Sequence, residues 1–370
     1  MIEGFIVRGT GVGPISILHV IFLSMTVIGL KNHVTIIPPI LQVVGRDGWA
    51  AILLAAIFMF PWLFLLLYVH HKSHQLPLKD WLKQRIGKVG YTIILYIIGF
   101  YLIVLSAFTI RETLQWVKTT FLPNTPMVLL LTIFTILCIL LISTNIQTIA
   151  MVNVLVLFGV IVLGFFVAFV NIQVKDYELL RPFFEHGFKP IVTGAVYPAS
   201  GFVELLLLLF LQHHYKGRIR WYHFAIMLFI LMGLTMGPLI GAITEFGPIE
   251  AAKQSYPAYE EWGLATIGRF IEHMDFFSVY QWLTGAFIRV GFLLFIVVDL
   301  FNLNENRKRI WTMIAPPFFF LSLSLSLLND DLFLEIKGNY FLICTFVFLI
   351  VLSLFLTIVA FASRKTVKNV

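Results

Sequence analysis

Two charged residues stand alone in apolar surroundings: Glu204, within Phe202-Val203-Glu204-Leu205-Leu206, and Arg289, within Ile288-Arg289-Val290-Gly291. An ionised side chain at the centre of a membrane costs about 2.5–3.5 kcal/mol on insertion scales, so such residues face a partner, a cavity or water. Glu204 is therefore suited to hold a ligand ammonium, to carry a proton, or to pair with a cation from another span. A guanidinium cannot be deprotonated at any useful pH, which excludes Arg289 as a proton relay. An ion pair to Glu204 or Asp299 remains open to it.

Two apolar runs are interrupted by polar, Gly and Pro residues. The first break is Gly29-Leu30-Lys31-Asn32-His33 with Pro38 and Pro39 beyond; the second is Tyr197-Pro198-Ala199-Ser200-Gly201, just before Glu204. Unwound backbone facing hydrocarbon costs several kcal/mol per unpaired group, so it is found where it is buried in protein or lines a cavity. Breaks at matching places in two halves of a chain point to a binding site near the bilayer midplane. Pro198 removes a donor while Ser200 and Gly201 ease an irregular backbone, leaving N–H groups suited to a ligand carboxylate; a plain proline kink is the alternative. Lys31 and His33 either line the pathway or mark a loop that has reached the headgroups. Gly29, Lys31, Tyr197, Ser200, Gly201 and Glu204 are the expected ligand-binding set at the breaks. Tyr101 and Thr284 add hydroxyls from neighbouring spans, whereas His19 reads as a hydrogen-bonded interior histidine.

The elements that position these residues follow from composition. Hydrophobic residues make up 59% of the 370, charged residues only 12%, and 37 are Phe, a balance that excludes a soluble domain of this size. Runs of about 20 residues, enough to cross about 30 Å of hydrocarbon, are read at 15–42 (broken), 48–70, 90–116, 126–142 and 146–171. A second set is read at 190–213 (broken), 221–244, 276–300, 310–328 and 339–362. One transmembrane domain over 1–370 is expected, with repeat one over about 15–171 and repeat two over about 190–362.

With the N-terminus inside, the inner segments carry fifteen Lys and Arg, among them Lys79, Lys83, Arg85 and Lys88. The outer segments carry nine, Arg111 and Lys337 included. This bias predicts cytoplasmic termini, and basic inner loops beside anionic lipid account for the net charge of +7 without nucleic acid. Residues 72–89 suit either a short amphipathic helix on the inner surface or a solvated basic loop. Within 245–275, Pro257 can start a helix bearing Trp262, Ala265 and Phe270, a candidate lid over an outer vestibule. Cys138 and Cys344 lie within apolar spans, where a lone thiol usually behaves as a small buried hydrophobe, so no disulfide, no metal site and no cofactor is expected. A cleavable signal peptide is not expected either. Gly-x-Ser-x-Gly, His-Glu-x-x-His and phosphate-cradling Gly-rich motifs do not occur, which argues against an enzyme.

Three strings in order resemble the endospore germination permeases. These are Ile15-Ser16 with Ile28-Gly29, Pro38 and Gly45-Arg46-Asp47-Gly48-Trp49; Ala195-Val196-Tyr197-Pro198 with Gly201 and Glu204; and Ile271-Glu272-His273-Met274-Asp275-Phe276-Phe277 with Trp282. That family comprises the B subunits of nutrient germinant receptors, within the amino acid/polyamine/organocation transporter superfamily. The resemblance covers essentially the whole chain, though Leu30-Lys31-Asn32-His33 replaces the small residues usual after the Ile-Gly of span one. It implies an all-α integral membrane protein of ten transmembrane helices, a five-plus-five inverted repeat of the leucine-transporter type with helices 1 and 6 broken around a small-molecule site. In sodium-coupled members of that fold a cation sits between spans one and eight, and Arg289 is placed to substitute for it.

The resemblance further implies a transporter-like receptor subunit in the spore inner membrane. It would bind a small-molecule germinant, an amino acid by expectation, and signal to a membrane subunit with soluble domains and a lipoprotein subunit. An ion-coupled amino acid or amine permease needs the same broken helices and stays open, as does a scaffold with a vestigial pocket. Neighbouring genes for the two other subunits would favour the receptor.

Overall fold

Apolar residues at nearly every position make helices whose backbone groups are satisfied within each segment, the form lipid requires. The computed structural model describes residues 14–267 and 274–362; Arg8, Arg269, Phe270, Glu272, His273, Arg364 and both chain termini, on which some sequence expectations rest, lie outside them. Among the described residues, seven helical stretches are long and apolar enough to cross a membrane. The chain is a multi-pass membrane protein of helices, with a two-residue parallel strand pair, Ile15–Ser16 against Tyr215–Lys216.

The first stretch runs as α1 (Ile17–Leu30), a wide π turn (Lys31–Thr35) and α2 (Ile37–Val44). It turns at Gly45, whose φ of +66° favours glycine, into α3 (Gly48–Lys72). Asp47 holds this corner by accepting from the Phe184 and Glu185 amides at 2.9 and 3.0 Å. Arg46 pairs with Glu185 at 2.8 Å, and Trp49 packs edge-on to Phe183. The Gly-Arg-Asp-Gly-Trp string thus clamps the first corner to the connector before the second break.

Next come α4 (Leu78–Thr120), α5 (Met127–Ile142) and α6 (Ile146–Val170). Gly87, at φ +74°, divides α4. The part before it is helical, the first of the two forms open to residues 72–89, with Leu78, Trp81 and Leu82 buried against the core. The second break consists of α7 (Phe188–Gly194), α8 (Val196–Phe202) and a tightly wound 3₁₀ run (Val203–His214). Pro198 has no N–H to offer the Gly194 carbonyl, so α7 and α8 part there. At about 2.0 Å per residue the 3₁₀ run reaches about 24 Å, against about 18 Å for an α-helix.

The chain continues through α9 (Trp221–Phe246), α10 (Pro248–Ala251), α11 (Pro257–Gly263) and α12 (Phe276–Leu300). Beyond these lie α13 (Arg307–Met313), α14 (Ala315–Ser326), α15 (Asp330–Ile336), a second π turn (Lys337–Phe341) and α16 (Leu342–Ala362). Helix α12 packs against α1, α4, α5 and α6, while α16 packs against α3 and α8. The second break and α12 are sheltered over 94% and 83% of their most apolar stretches, against 17% for α6. Glu204 and Arg289 therefore sit at the centre of the bundle, and α6 lies at its lipid-facing edge.

Candidate binding site between the interrupted helices

The two isolated charges meet. Arg289 grips Glu204 with both arms of its guanidinium, Nη1 to Oε2 at 2.7 Å and Nη2 to Oε1 at 3.0 Å, the fork geometry that only arginine offers. Lys31 Nζ reaches the same carboxylate at 2.9 Å. All three side chains are buried, Glu204 completely.

The cations also bind backbone that the breaks release. At the end of α1 the Lys31 amide turns to the Ile28 carbonyl, and the Val27 carbonyl accepts from Arg289 Nη1. Lys31 Nζ donates at 2.7 Å to the Ser200 carbonyl, near the passage from α8 into the 3₁₀ run. Each cation thus covers a carbonyl of one interrupted helix, and Glu204 joins the cations. Arg289 Nε adds Thr109 of α4 at 3.2 Å. What the second break presents to this cluster is the Ser200 carbonyl, already covered, rather than the open N–H groups expected from the sequence.

The breaks touch closely. A Cβ on Gly201 would lie 1.7 Å from Asn32 Oδ1, so only glycine permits the approach. Asn32 is buried and held by Nδ2 to Thr235 at 3.0 Å. Gly29 faces α9, where a Cβ would meet Leu234 at 2.9 Å, and His33 bonds the Leu234 carbonyl. Ser200 donates back to the Tyr197 carbonyl at 2.7 Å. The Tyr101 and Thr345 hydroxyls are buried and face each other, with Tyr101 within electrostatic reach of Glu204 and Arg289. Thr284 donates to the Tyr280 carbonyl of its own helix at 2.6 Å and is only half-buried, so no contact with the cluster is seen. His19 caps α1 with Ser16, its Nδ1 2.6 Å from the hydroxyl.

A cavity opens beside the cluster, and of its polar lining the sequence had singled out only Lys31 and Arg289. Lys31, Thr109 and Arg289 line it together with Thr35, Glu112 and Lys337. Glu112 accepts from Lys337 Nζ at 2.6 Å and from the Thr35 hydroxyl at 2.8 Å. Lys337 and Arg111, assigned by sequence to outer loops, are buried; Arg111 pairs with Asp330 at 2.7 Å. Glu112, lying within the last turns of a predicted span, carried the same signal as Glu204. Both lysines begin a π turn, a distortion common at functional sites. The room for the centres of water molecules is about 20 Å³, sufficient for one water.

Trp282 lines the cavity and is covered by aromatic rings. Tyr259 of α11 stacks on it at 4.2 Å and 9°, with Trp116 and Tyr256 alongside. The helix started by Pro257 is the expected covering element; Trp262 is buried, and Ala265 lies past its end. These rings cover Trp282 on the side of α11.

The family model described as "Spore germination protein" matches residues 14–331. This chain belongs to that family. The spore germination protein XB of Bacillus anthracis is 43% identical over 281 residues, 76% of this chain and 79% of the relative. Spore germination protein A2 of Bacillus subtilis (strain 168) is 26% identical over 268 residues, 71% of each chain. The putative spore germination protein YfkT of the same strain is 26% identical over 275 residues, 73% of this chain and 74% of the relative. The match to the spore germination protein family runs from the start of α1 into α15, so both broken helices, α11 and α12 fall within it.

The covering helix carries its own charge problem. Burial pushes the Glu261 carboxyl well above the ordinary carboxylate range, and neighbouring Glu245 pushes it further, with Lys175 opposing. Glu261 Oε1 has no hydrogen-bond partner. An acid whose pKa is raised on folding binds more protons folded than unfolded, so its contribution falls as pH rises from the ordinary Glu value through the folded one. The purified protein should lose thermal stability over that window, and Glu261→Gln should flatten the slope. An unchanged slope would mean that Glu261 docks ionised.

Proposed function

We propose that this chain is the transporter-like membrane subunit of a nutrient germinant receptor, binding a small zwitterion, an amino acid in the first instance, beside the interrupted helices. The observation that carries this reading is the Lys31–Glu204–Arg289 cluster, which ties both breaks together at the edge of a cavity. Lys31, Arg289 and Lys337 against Glu204 and Glu112 leave one formal positive charge, which a ligand carboxylate would balance. In the conformation described the cavity has room for water only, so ligand entry must widen it. A ligand that binds the wider arrangement more tightly shifts the population toward it, as a receptor switch requires.

The architecture proposed for this function is one domain of ten crossings, with α1–α2 as broken helix 1 and α7, α8 and the 3₁₀ run as broken helix 6, in a leucine-transporter-type inverted repeat. Gly29, Lys31, Tyr101, Tyr197, Ser200, Gly201 and Glu204 remain the proposed contact set, to which Thr35, Glu112 and Lys337 are added; Thr284, bonded to its own helix, is dropped from it. The proposed location is the spore inner membrane with cytoplasmic termini, beside a membrane subunit with soluble domains and a lipoprotein. The germination relatives favour a receptor over a working permease.

The direct test is ligand binding by the purified subunit together with the germination response of spores. Single amino acids should give saturable binding that Glu112→Gln and Lys337→Met weaken about tenfold or more, the value of about 1.4 kcal/mol in affinity. Amino acid binding indifferent to both substitutions would remove the cavity from the reading. Orientation has a separate check. Cysteines at 83 and 260, both exposed positions, should label from opposite faces of intact cells; Ala258, an otherwise natural choice, is buried. Labelling from one face would overturn the orientation.

A further inference from the structure

About 20 Å along the 3₁₀ run from Glu204, at about 2.0 Å per residue, a second cluster stands apart from the ligand site. His213 and His214 end that run, Asp299 lies at the end of α12, and one ligand atom from each falls within 4.8 Å of the others. We propose that these three residues bind a divalent transition metal of the zinc class, with water in the remaining position. This departs from the absence of a metal site expected on the cysteines.

The geometry supports coordination better than hydrogen bonding. Both imidazole Nε2 atoms stand 3.5 Å from the same Asp299 Oδ1, too far for a good hydrogen bond. Bonds of about 2.0–2.1 Å to a tetrahedral ion would hold neighbouring ligand atoms about 3.3–3.4 Å apart. His214 Nε2 is buried with no hydrogen-bond partner. Two imidazoles and one carboxylate with an open position suit zinc and its neighbours rather than calcium or magnesium, which take oxygen ligands. The histidine side chains are 18% and 21% exposed, which leaves an entry path.

The carboxylate is oriented from outside the site. Asn304 Nδ2 donates to Oδ1 at 3.1 Å, and Lys79 Nζ approaches Oδ2 at 3.4 Å, contacts of the kind that tune metal ligands. Lys79 also opposes a dication electrostatically, so it weakens the site while orienting it. A bound ion would tie the 3₁₀ run to α12, the elements that carry Glu204 and Arg289.

The test is a cobalt titration of the full chain, purified in detergent and stripped with a chelator. One Co²⁺ per chain should bind with a visible absorption band of tetrahedral type, and Zn²⁺ should displace it. His213→Ala and His214→Ala should each weaken binding about tenfold or more, His74→Ala should leave it unchanged, and Lys79→Met should tighten it. Asp299→Asn leaves Lys79 without its carboxylate and can misfold, so the histidine variants decide the matter. No saturable band, or equal affinity in the His213→Ala, His214→Ala double variant, would overturn the site. Metal binding is read without any germinant, so this result is independent of the receptor reading.

Discussion

Gly201→Ala is expected to abolish or severely weaken the ligand response, since among the described glycines an added Cβ makes its closest approach here. The added Cβ would sit 1.7 Å from Asn32 Oδ1 and 2.6 Å from its Cγ. Asn32 cannot swing clear, being wholly buried and bonded to Thr235. The two breaks must therefore separate, which moves the Ser200 carbonyl away from Lys31. Overpacking of this kind costs about 1–3 kcal/mol, roughly a 5- to 150-fold change in an equilibrium. Gly233→Ala is the control, since its Cβ would meet nothing within 4 Å. If the cause is steric, Asn32→Ala introduced beside Gly201→Ala should recover part of the response at equal protein abundance. A wild-type dose response in Gly201→Ala would show that the breaks do not depend on this approach.

How far this site was legible in the sequence follows from what marks each residue. Glu204 and Arg289 were visible because a charge in the middle of an apolar run has few inexpensive explanations, and the breaks were visible as Gly and Pro among polar residues. The class and its helical spans were legible in composition. Residues 72–89 were legible only as a choice between an amphipathic helix and a basic loop, and the structure has a helix before Gly87 with Leu78, Trp81 and Leu82 on one buried face.

Partners were not legible. A π turn inserts an extra residue, shifting later side chains by about 100° around the axis, so the faces of the residues beyond Lys31 and Lys337, Thr35 among them, cannot be projected from an ideal helix. Lys337 and Arg111 lie near span ends, where a cation ordinarily reaches headgroups or water, and the structure instead buries both against acids. Thr284 was chosen on its helix without a register, and its hydroxyl is spent on Tyr280. At the second break the proline drew attention to missing donors, whereas the chemistry there is a carbonyl covered by a lysine on another helix. That lysine is 169 positions away, beyond any local pattern.

Glu204→Gln should be the most damaging substitution for protein abundance, more so than loss of either cation. The carboxylate serves both Lys31 and Arg289, so neutralising it leaves two buried positive charges facing each other, and breaking a buried pair costs about 3–5 kcal/mol. Arg289→Met leaves the Lys31–Glu204 pair balanced, and Lys31→Met leaves the forked Arg289–Glu204 pair; both should accumulate nearer to wild type. Glu204→Gln with Arg289→Met still strands Lys31, so rescue of abundance should be partial and should improve when Lys31→Met is added.

The response should rank differently from abundance. Arg289 covers the Val27 carbonyl as well as Glu204, so Arg289→Met frees the end of α1 from α12 and should lose the response even where the protein accumulates. Arg289→Lys keeps the charge without the fork and should retain part. If the guanidinium occupies the place of a coupling ion, the wild type should respond equally with and without sodium, and Arg289→Met should recover only when a small cation is supplied. A sodium-dependent wild type, or a fully responsive Arg289→Met in sodium-free buffer, would reduce Arg289 to the structural partner of Glu204.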